Sequence, residues 1–331
     1  MLNIATVGTS TITEKFIAAC RFSGRFRLYA AYSRSKERAA EFAAKHGFEK
    51  SFSDLREMAE KPSIDAVYIA TPNVFHAEQS RLFLNHGKNV LCEKPIATDS
   101  VTYGSLLKLA ETNRLIYAEA IMSRHSPGRP ALLEALPLIG RISQVRIDYC
   151  QRSSRYDRFK AGEHINIFDM SLGAGALMDL GVYCVYAAAD LFGAPQSVAA
   201  RASFLENGAD CAGCAIFGYD GFSAVLTYSK TGDTALGSEI VGDGGTLKIR
   251  SVSQYNGISL IKDGKETPLY YSSHHPEIMG GEITAFADYI ENPSRLAEYR
   301  EVCGLTSAVH KATDAVKRQA GIKYPLKEYK I

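Results

Sequence analysis

Three groups of residues have types and spacings that can do chemistry. Asp179 and Tyr183 stand four apart in an apolar helical segment, so they share one helix face and can both reach one small molecule. Lys94 follows the apolar run Asn89 to Cys92 and precedes Pro95, which places an amine at the carboxyl end of a strand, where α/β sheets hold ligands. The turn Val7-Gly8-Thr9-Ser10-Thr11-Ile12-Thr13 follows the first strand and opens a helix whose first N–H groups would face a phosphate. A dinucleotide turn of the Gly-x-Gly-x-x-Gly type keeps only Gly8 here, with Ser10 and Thr13 in the other two glycine places. The hydroxyls of Ser10 and Thr11 can donate to phosphate oxygens. At the end of the second strand, Ser33 and Arg34, with Lys36 and Arg38 nearby, stand where an acidic residue would accept from a ribose 2′-hydroxyl. They offer charge-assisted donors to a 2′-phosphate instead, so a cofactor bound here is expected to be NADP in preference to NAD.

Other reactive types carry less. Cys211 and Cys214 form a Cys-x-x-Cys pair inside a strand-like run, where residues three apart point to opposite faces, so neither a redox pair nor a metal site is expected. His274 and His275 precede Pro276 in a polar stretch that reads as a loop.

The elements that must position these residues fall into two textures. Through residue 120, short apolar runs alternate with helical stretches: Leu2 to Val7, Ile12 to Phe22, Leu28 to Tyr32, Ser35 to His46, Asp65 to Ala70, Phe75 to His86, Asn89 to Cys92, Asp99 to Asn113 and Leu115 to Ala118. That alternation predicts an α/β, doubly wound parallel sheet of the Rossmann kind over residues 1–120. Beyond it, Gln144 to Tyr149 alternates strictly, Gly175 to Phe192 is an apolar helix, and a series of strand-like runs from Ser197 to Ile261 is joined by Gly-rich turns. Residues 121–331 are expected to form an α+β domain for substrate binding and oligomerisation, with a large, mostly antiparallel sheet closed by helices at Gly281 to Glu291 and Leu296 to Ala320. Helices on one side leave the far face, with Tyr, Val and Ile, as an apolar patch that a homodimer or homotetramer would cover.

The chain has 331 residues and a formal net charge of +2, which gives no general attraction to nucleic acid or to an acidic membrane. No apolar run is read as long enough for a membrane span, and seven cysteines suggest no disulfide framework. The first residues run straight into a strand, so a cytoplasmic protein is expected.

Three motifs in register sharpen this reading: Thr71-Pro72-Asn73-x-x-His76, Glu93-Lys94-Pro95 and Gly173-x-Gly175-x-x-x-Asp179-x-Gly181-x-Tyr183. Together with Glu119-Ala120 and Arg124-x-x-Pro127 they resemble, over essentially the whole chain, the glucose–fructose oxidoreductase / inositol dehydrogenase (Gfo/Idh/MocA) family. The resemblance implies NAD(P)-dependent hydride transfer on a sugar, polyol or dihydrodiol-type alcohol. By position it makes Lys94 the catalytic lysine and Tyr183 the acid/base, as in the branch similar to dihydrodiol and xylose dehydrogenases, with Asp179 holding substrate. It also implies that Thr71, Pro72, Asn73, His76 and Glu93 border the cofactor along with Gly8, Thr9, Ser10, Thr11, Ile12, Ser33, Arg34 and Arg38. The chemistry agrees: a phenol with a reference pKa of about 10 is a poor base at neutral pH, and an ammonium such as that of Lys94 favours the phenolate. Arg155, Tyr156, Arg158, Asn166 and Phe168 precede the Gly-rich helix and are candidates to line the substrate pocket. Two alternatives use the same scaffold: a catalytically silent cofactor- or sugar-sensing regulator, and an NAD-assisted glycosidase. A silent sensor would not need Lys94, Asp179 and Tyr183 together, and a glycosidase would show no net reduction of added cofactor.

Overall fold

A computed structural model describes residues 1–273 and 275–324. The chain divides into two compact units, the first comprising Met1–Ile121 with the described residues from 275 to Gly304, the second Met122–Ser273 with the described residues from Leu305 onward.

In the first unit, β1 (Leu2–Val7), α1 (Thr11–Ser23), β2 (Phe26–Tyr32), α2 (Lys36–His46), β3 (Lys50–Phe52), α3 (Leu55–Ala59), β4 (Ala66–Ile69), α4 (Asn73–Asn85), β5 (Asn89–Glu93), α5 (Ser100–Thr112) and β6 (Tyr117–Ala120) succeed one another. The strands form one parallel sheet in the order β3-β2-β1-β4-β5-β6, the doubly wound arrangement expected. Its central strands are mostly apolar and closed off from water: Val7, Val67, Ile69, Val90 and Cys92 are fully buried. Helix starts follow local chemistry. Ser35 caps α2 through Arg38 N–H at 3.2 Å, and Asp99 caps α5 through Thr102 N–H at 2.8 Å.

The second unit holds α6 (Gly128–Ala135), β7 (Ile142–Cys150), α7 (Tyr156–Lys160), a π-helical turn (Leu177–Gly181) leading directly into α8 (Val182–Phe192), then β8 (Ser197–Phe204), β9 (Asp210–Tyr219), β10 (Phe222–Ser229), β11 (Ser238–Gly242), β12 (Gly245–Ser251), β13 (Asn256–Lys262) and β14 (Lys265–Tyr270). The eight strands form one sheet in the order β14-β13-β12-β11-β7-β10-β9-β8, antiparallel except where β10 runs parallel to β7.

The chain then returns to the first unit, which a change of pattern near residue 120 does not reveal. Helix α9 (His275–Glu291) starts earlier than the expected Gly281, so His275 opens a helix and not a loop; His274 lies outside the described residues. Helix α10 (Leu296–Ala320) follows. Arg25 donates to Asp288 at 2.6 Å and to Glu291 at 2.8 Å, tying α9 to the start of β2. At the sheet edge the Tyr299 hydroxyl accepts from Tyr117 N–H at 3.0 Å and donates to Tyr117 C=O at 3.1 Å, which occupies two backbone groups on the open side of β6.

Two expectations need correction. The segment Met170–Phe192 is long and apolar enough by composition to cross a membrane, but most of it is buried as a core element of the second unit. The far face of the large sheet is not a patch of Tyr, Val and Ile. Tyr149 packs edge-on against Tyr183, Tyr228 is buried, and Tyr219 donates to Ala188 C=O, so these tyrosines face the helices. The far-face row reads Ser259, Lys248, Glu239, Arg146, Val225, Ile216, Ala199 across successive strands, apolar only on its β10–β9–β8 side. A shift of one residue in the assumed facing exchanges the two sets.

Candidate active site

In the first unit, strand register decides the site. Tyr32, Val7, Ile69 and Cys92 lie side by side across four parallel strands, so Ser33, Gly8 and Ala70 leave the sheet together at its carboxyl end, level with Glu93, the last residue of β5. Gly8 has φ +113°, and a Cβ there would lie 2.6 Å from Ala70 O. Only glycine allows the first turn to pass this close to the end of β4. Ser10 and Thr11 are exposed at the head of α1, and Ser10 forms no side-chain cap, so the helix N–H groups remain available to an anion. Arg34, Lys36 and Arg38 are exposed beside Ser33 at the neighbouring strand end. A cradle a Cβ would fill, an uncapped helix start and adjacent cations fit a phosphorylated dinucleotide.

The turn carrying Lys94 is braced from below. His76 is buried, with Nδ1 2.8 Å from Pro95 O and Nε2 2.7 Å from Thr71 O. Burial holds the His76 pKa below its usual value, against the pull of the Pro95 and Thr71 carbonyls. His76 therefore does not present its ring at the surface; it ties the Thr71 and Pro95 loops together. Glu119 Oε1 accepts from Ile96 N–H at 2.8 Å, and the Tyr68 hydroxyl donates to Glu93 at 2.5 Å. Burial raises the Glu93 carboxyl pKa, against the opposing effects of Tyr68 and Lys94. Thr71 Oγ1 donates to Gln79 Oε1 at 2.7 Å. Lys94 is half-buried on this frame, Pro72 is exposed, and Asn73 opens α4.

In the second unit, the helix expected over Gly175 to Phe192 begins as a π-helical turn, a feature that often marks functional sites. Tyr183 is buried in the first turn of α8, its ring 5.6 Å from that of Tyr149. The Asp179 side chain is 41% exposed and accepts from Lys230 Nζ, whose side chain is 4% exposed. The start of this helix is held by Asp210, which is fully buried and accepts from Leu177 N–H at 2.7 Å. Gly175, at φ +136°, leaves the room this carboxylate occupies; any Cβ would strike it. Burial pushes the Asp210 carboxyl up to about 6, although the Leu177 N–H and the Lys230 ammonium pull it down.

Of the candidate pocket residues, Phe168 lies in a small core with Tyr156 and Phe159 against it, and Lys230 Nζ is 6.0 Å from its ring centre. Arg158 is committed to an exposed pair with Glu163, and Arg155 and Asn166 are exposed. Cys211 is buried and Cys214 exposed on one strand, as their spacing required.

Residues 2–120 match the oxidoreductase family with an NAD-binding Rossmann fold, and residues 137–248 match the GFO/IDH/MocA C-terminal domain. The chain is 40% identical to scyllo-inositol 2-dehydrogenase (NADP(+)) IolU of Bacillus subtilis, over 98% of this chain and 99% of that one. The chain belongs to the Gfo/Idh/MocA family. The chain is also 27% identical to trans-1,2-dihydrobenzene-1,2-diol dehydrogenase of Danio rerio, over 95% of each chain. The fold also matches KijD10, a 3-ketoreductase of Actinomadura kijaniata solved with NADP and TDP-benzene, with TM-score 0.84 and 24% identity over 96% of this chain and 98% of that one. As a Gfo/Idh/MocA protein it is an NAD(P)-dependent oxidoreductase.

Sequence reasoning missed Lys230, Asp210 and Tyr149. Each sits far along the chain from the helix it serves, and no local motif flags it. For Asp210 a faint signal exists in the need for Gly175, since a glycine before an apolar helix makes room for something.

Proposed function

We propose that this protein oxidises a hydroxyl-bearing carbon of a polyol, of the cyclic inositol type or a related sugar or dihydrodiol, using NADP, with Lys94 and Tyr183 as the acid–base pair. The observation that carries the reading is the common strand end from which the Gly8 turn, Ser33, Arg34 and the Lys94 turn all emerge. The exposed Arg34, Lys36 and Arg38 favour a 2′-phosphate and hence NADP. The 40% identity to an NADP-linked scyllo-inositol dehydrogenase supports both cofactor and substrate class. When bound, NADP supplies an acceptor for the hydride that leaves carbon. Tyr183 takes the hydroxyl proton as the carbonyl forms, with the Lys94 charge favouring its phenolate form, and Asp179 accepts from a further hydroxyl of the substrate. Thr71, Pro72 and Asn73 border the cofactor in this reading, and the second unit houses substrate recognition. A homodimer or homotetramer through the open sheet face belongs to it on narrower ground than an apolar patch, namely Val225 and Ile216 among charged neighbours, and sedimentation of the purified protein decides that point. The seven free thiols suit a reducing, cytoplasmic setting.

Steady-state oxidation of scyllo-inositol with NADP+ tests the roles. Lys94→Ala and Tyr183→Phe should each lower turnover on the order of a hundredfold or more, with NADP+ affinity largely kept. Unchanged turnover in either variant refutes its assignment.

A further inference from the structure

Lys230 has no place in the motifs that define the family site, yet the chain goes to some length to hold it. It directly follows β10, its backbone N–H donates to Cys211 O at 2.8 Å, and its own carbonyl accepts from Ser153 N–H at 2.8 Å. Strand β9 and the loop after β7 thus fix its backbone from two sides. Its side chain is buried under the Phe168 ring, where an ammonium is costly unless it is paired. The partner is Asp179 on the π-helical turn, whose carboxylate remains substantially exposed. A second carboxylate, Asp210, lies close enough to feel the same ammonium. One buried cation thus serves two carboxylates: it compensates the inner one and grips the outer one, the one that faces solvent.

We propose that Lys230 is a positioning residue for substrate: its ammonium fixes the Asp179 carboxylate in one orientation, ionised, as the acceptor that selects molecules with a hydroxyl beyond the one being oxidised. This rests on the function proposed above, and on Asp179 as the substrate-holding group within it. A flexible carboxylate would pay rotamer entropy each time it bound a hydroxyl; a carboxylate already held by a buried ion pair does not. The class of substrate favoured is therefore polyhydroxylated and uncharged, since an anionic substituent would face the exposed Asp179 carboxylate.

The test is a cycle of Lys230→Met, Asp179→Asn and the double variant, assayed with scyllo-inositol and NADP+ and by NADPH binding. Loss of a charged hydrogen bond at the site should raise KM for scyllo-inositol between about tenfold and a hundredfold in Lys230→Met, with kcat changed much less and NADPH affinity unchanged. Because Lys230 acts through Asp179, the double variant should match Asp179→Asn within about twofold. The double variant removes both partners of the Lys230–Asp179 pair, and below about pH 6 Asp210 takes up a proton and keeps the Leu177 N–H, so at such a pH the double variant is expected to fold even where Lys230→Met does not, and its KM can then be compared with that of Asp179→Asn alone. A KM in Lys230→Met within twofold of wild type overturns the inference, as does a double variant in which the two losses multiply. Failure of the wild type itself to reduce NADP+ with scyllo-inositol or any other polyol is a different outcome: it removes the proposed function on which this inference stands.

Discussion

Replacing Asp210 by Asn isolates the electrostatic cost of the buried carboxylate that holds the helix of Asp179 and Tyr183. Asparagine keeps the shape and an acceptor oxygen for Leu177 N–H but carries no charge at any pH. In the native protein burial raises the Asp210 pKa from 3.8 to about 6, whereas in the unfolded chain it titrates near about 4. The native state therefore binds the proton more tightly, so the stability this group contributes is greatest below about pH 4 and is lost as pH rises through about 6. A shift of about two units corresponds to roughly 3 kcal/mol, or several degrees in Tm for a unit of this size. The measurement is the Tm of wild type and Asp210→Asn by scanning calorimetry at steps from pH 4 to pH 7.5. The wild type should lose ground to the variant by several degrees as pH rises, most of it between pH 4.5 and 6.5. A Tm difference that stays constant across that range refutes the burial argument, because a carboxylate solvated like a surface group has no such dependence.

Three further outcomes are expected. Gly8→Ala forces a side chain into a φ of +113° and against Ala70 O at 2.6 Å, and strain of about 1–3 kcal/mol at this turn should weaken NADPH binding at least about tenfold in a fluorescence titration; normal affinity contradicts the cradle. Arg34→Ala should raise KM for NADP+ about tenfold while leaving KM for NAD+ unaltered, and equal changes for the two cofactors would remove the 2′-phosphate argument. Arg129 donates from Nε and Nη2 to Asp190, both at 2.7 Å, and the Asp190 side chain is only 5% exposed. Arg129→Met leaves that carboxylate with the Tyr255 hydroxyl at 3.2 Å and a more distant Arg124, so it should cost about 3–5 kcal/mol and lower Tm by roughly ten degrees.

The first unit was legible because its strands are buried on both faces and its helices open on Ser35 and Asp99, chemistry written locally in the chain. β3 and α3, with three and five residues, are too short to carry a period and passed unread. The return of α9 and the start of α10 to the first unit depends on partners more than a hundred residues away, such as Arg25 for Asp288 and Tyr117 for Tyr299, and no pattern within either helix announces it. Asp179 and Tyr183 were found through the motif Gly173-x-Gly175-x-x-x-Asp179-x-Gly181-x-Tyr183 that the chain shares with the family, and their spacing of four agrees with a shared helix face. The lysine that grips one follows the end of β10 and the tyrosine that packs on the other lies in β7, neighbours in a sheet whose order could not be read in advance. The misassigned face of that sheet has the same origin: alternation along β7 separates Arg146 and Asp148 from Ile147 and Tyr149 but does not say which set meets the helices.

Transfer of a label tests the central claim most directly. Scyllo-inositol deuterated at carbon, incubated with the wild-type protein and NADP+, should yield NADPH carrying deuterium on its nicotinamide, read by mass spectrometry, with one label gained for each ketone formed. Unlabelled NADPH, or no reduction with any polyol while NADPH still binds, would contradict direct hydride transfer and favour a sensor built on the same scaffold.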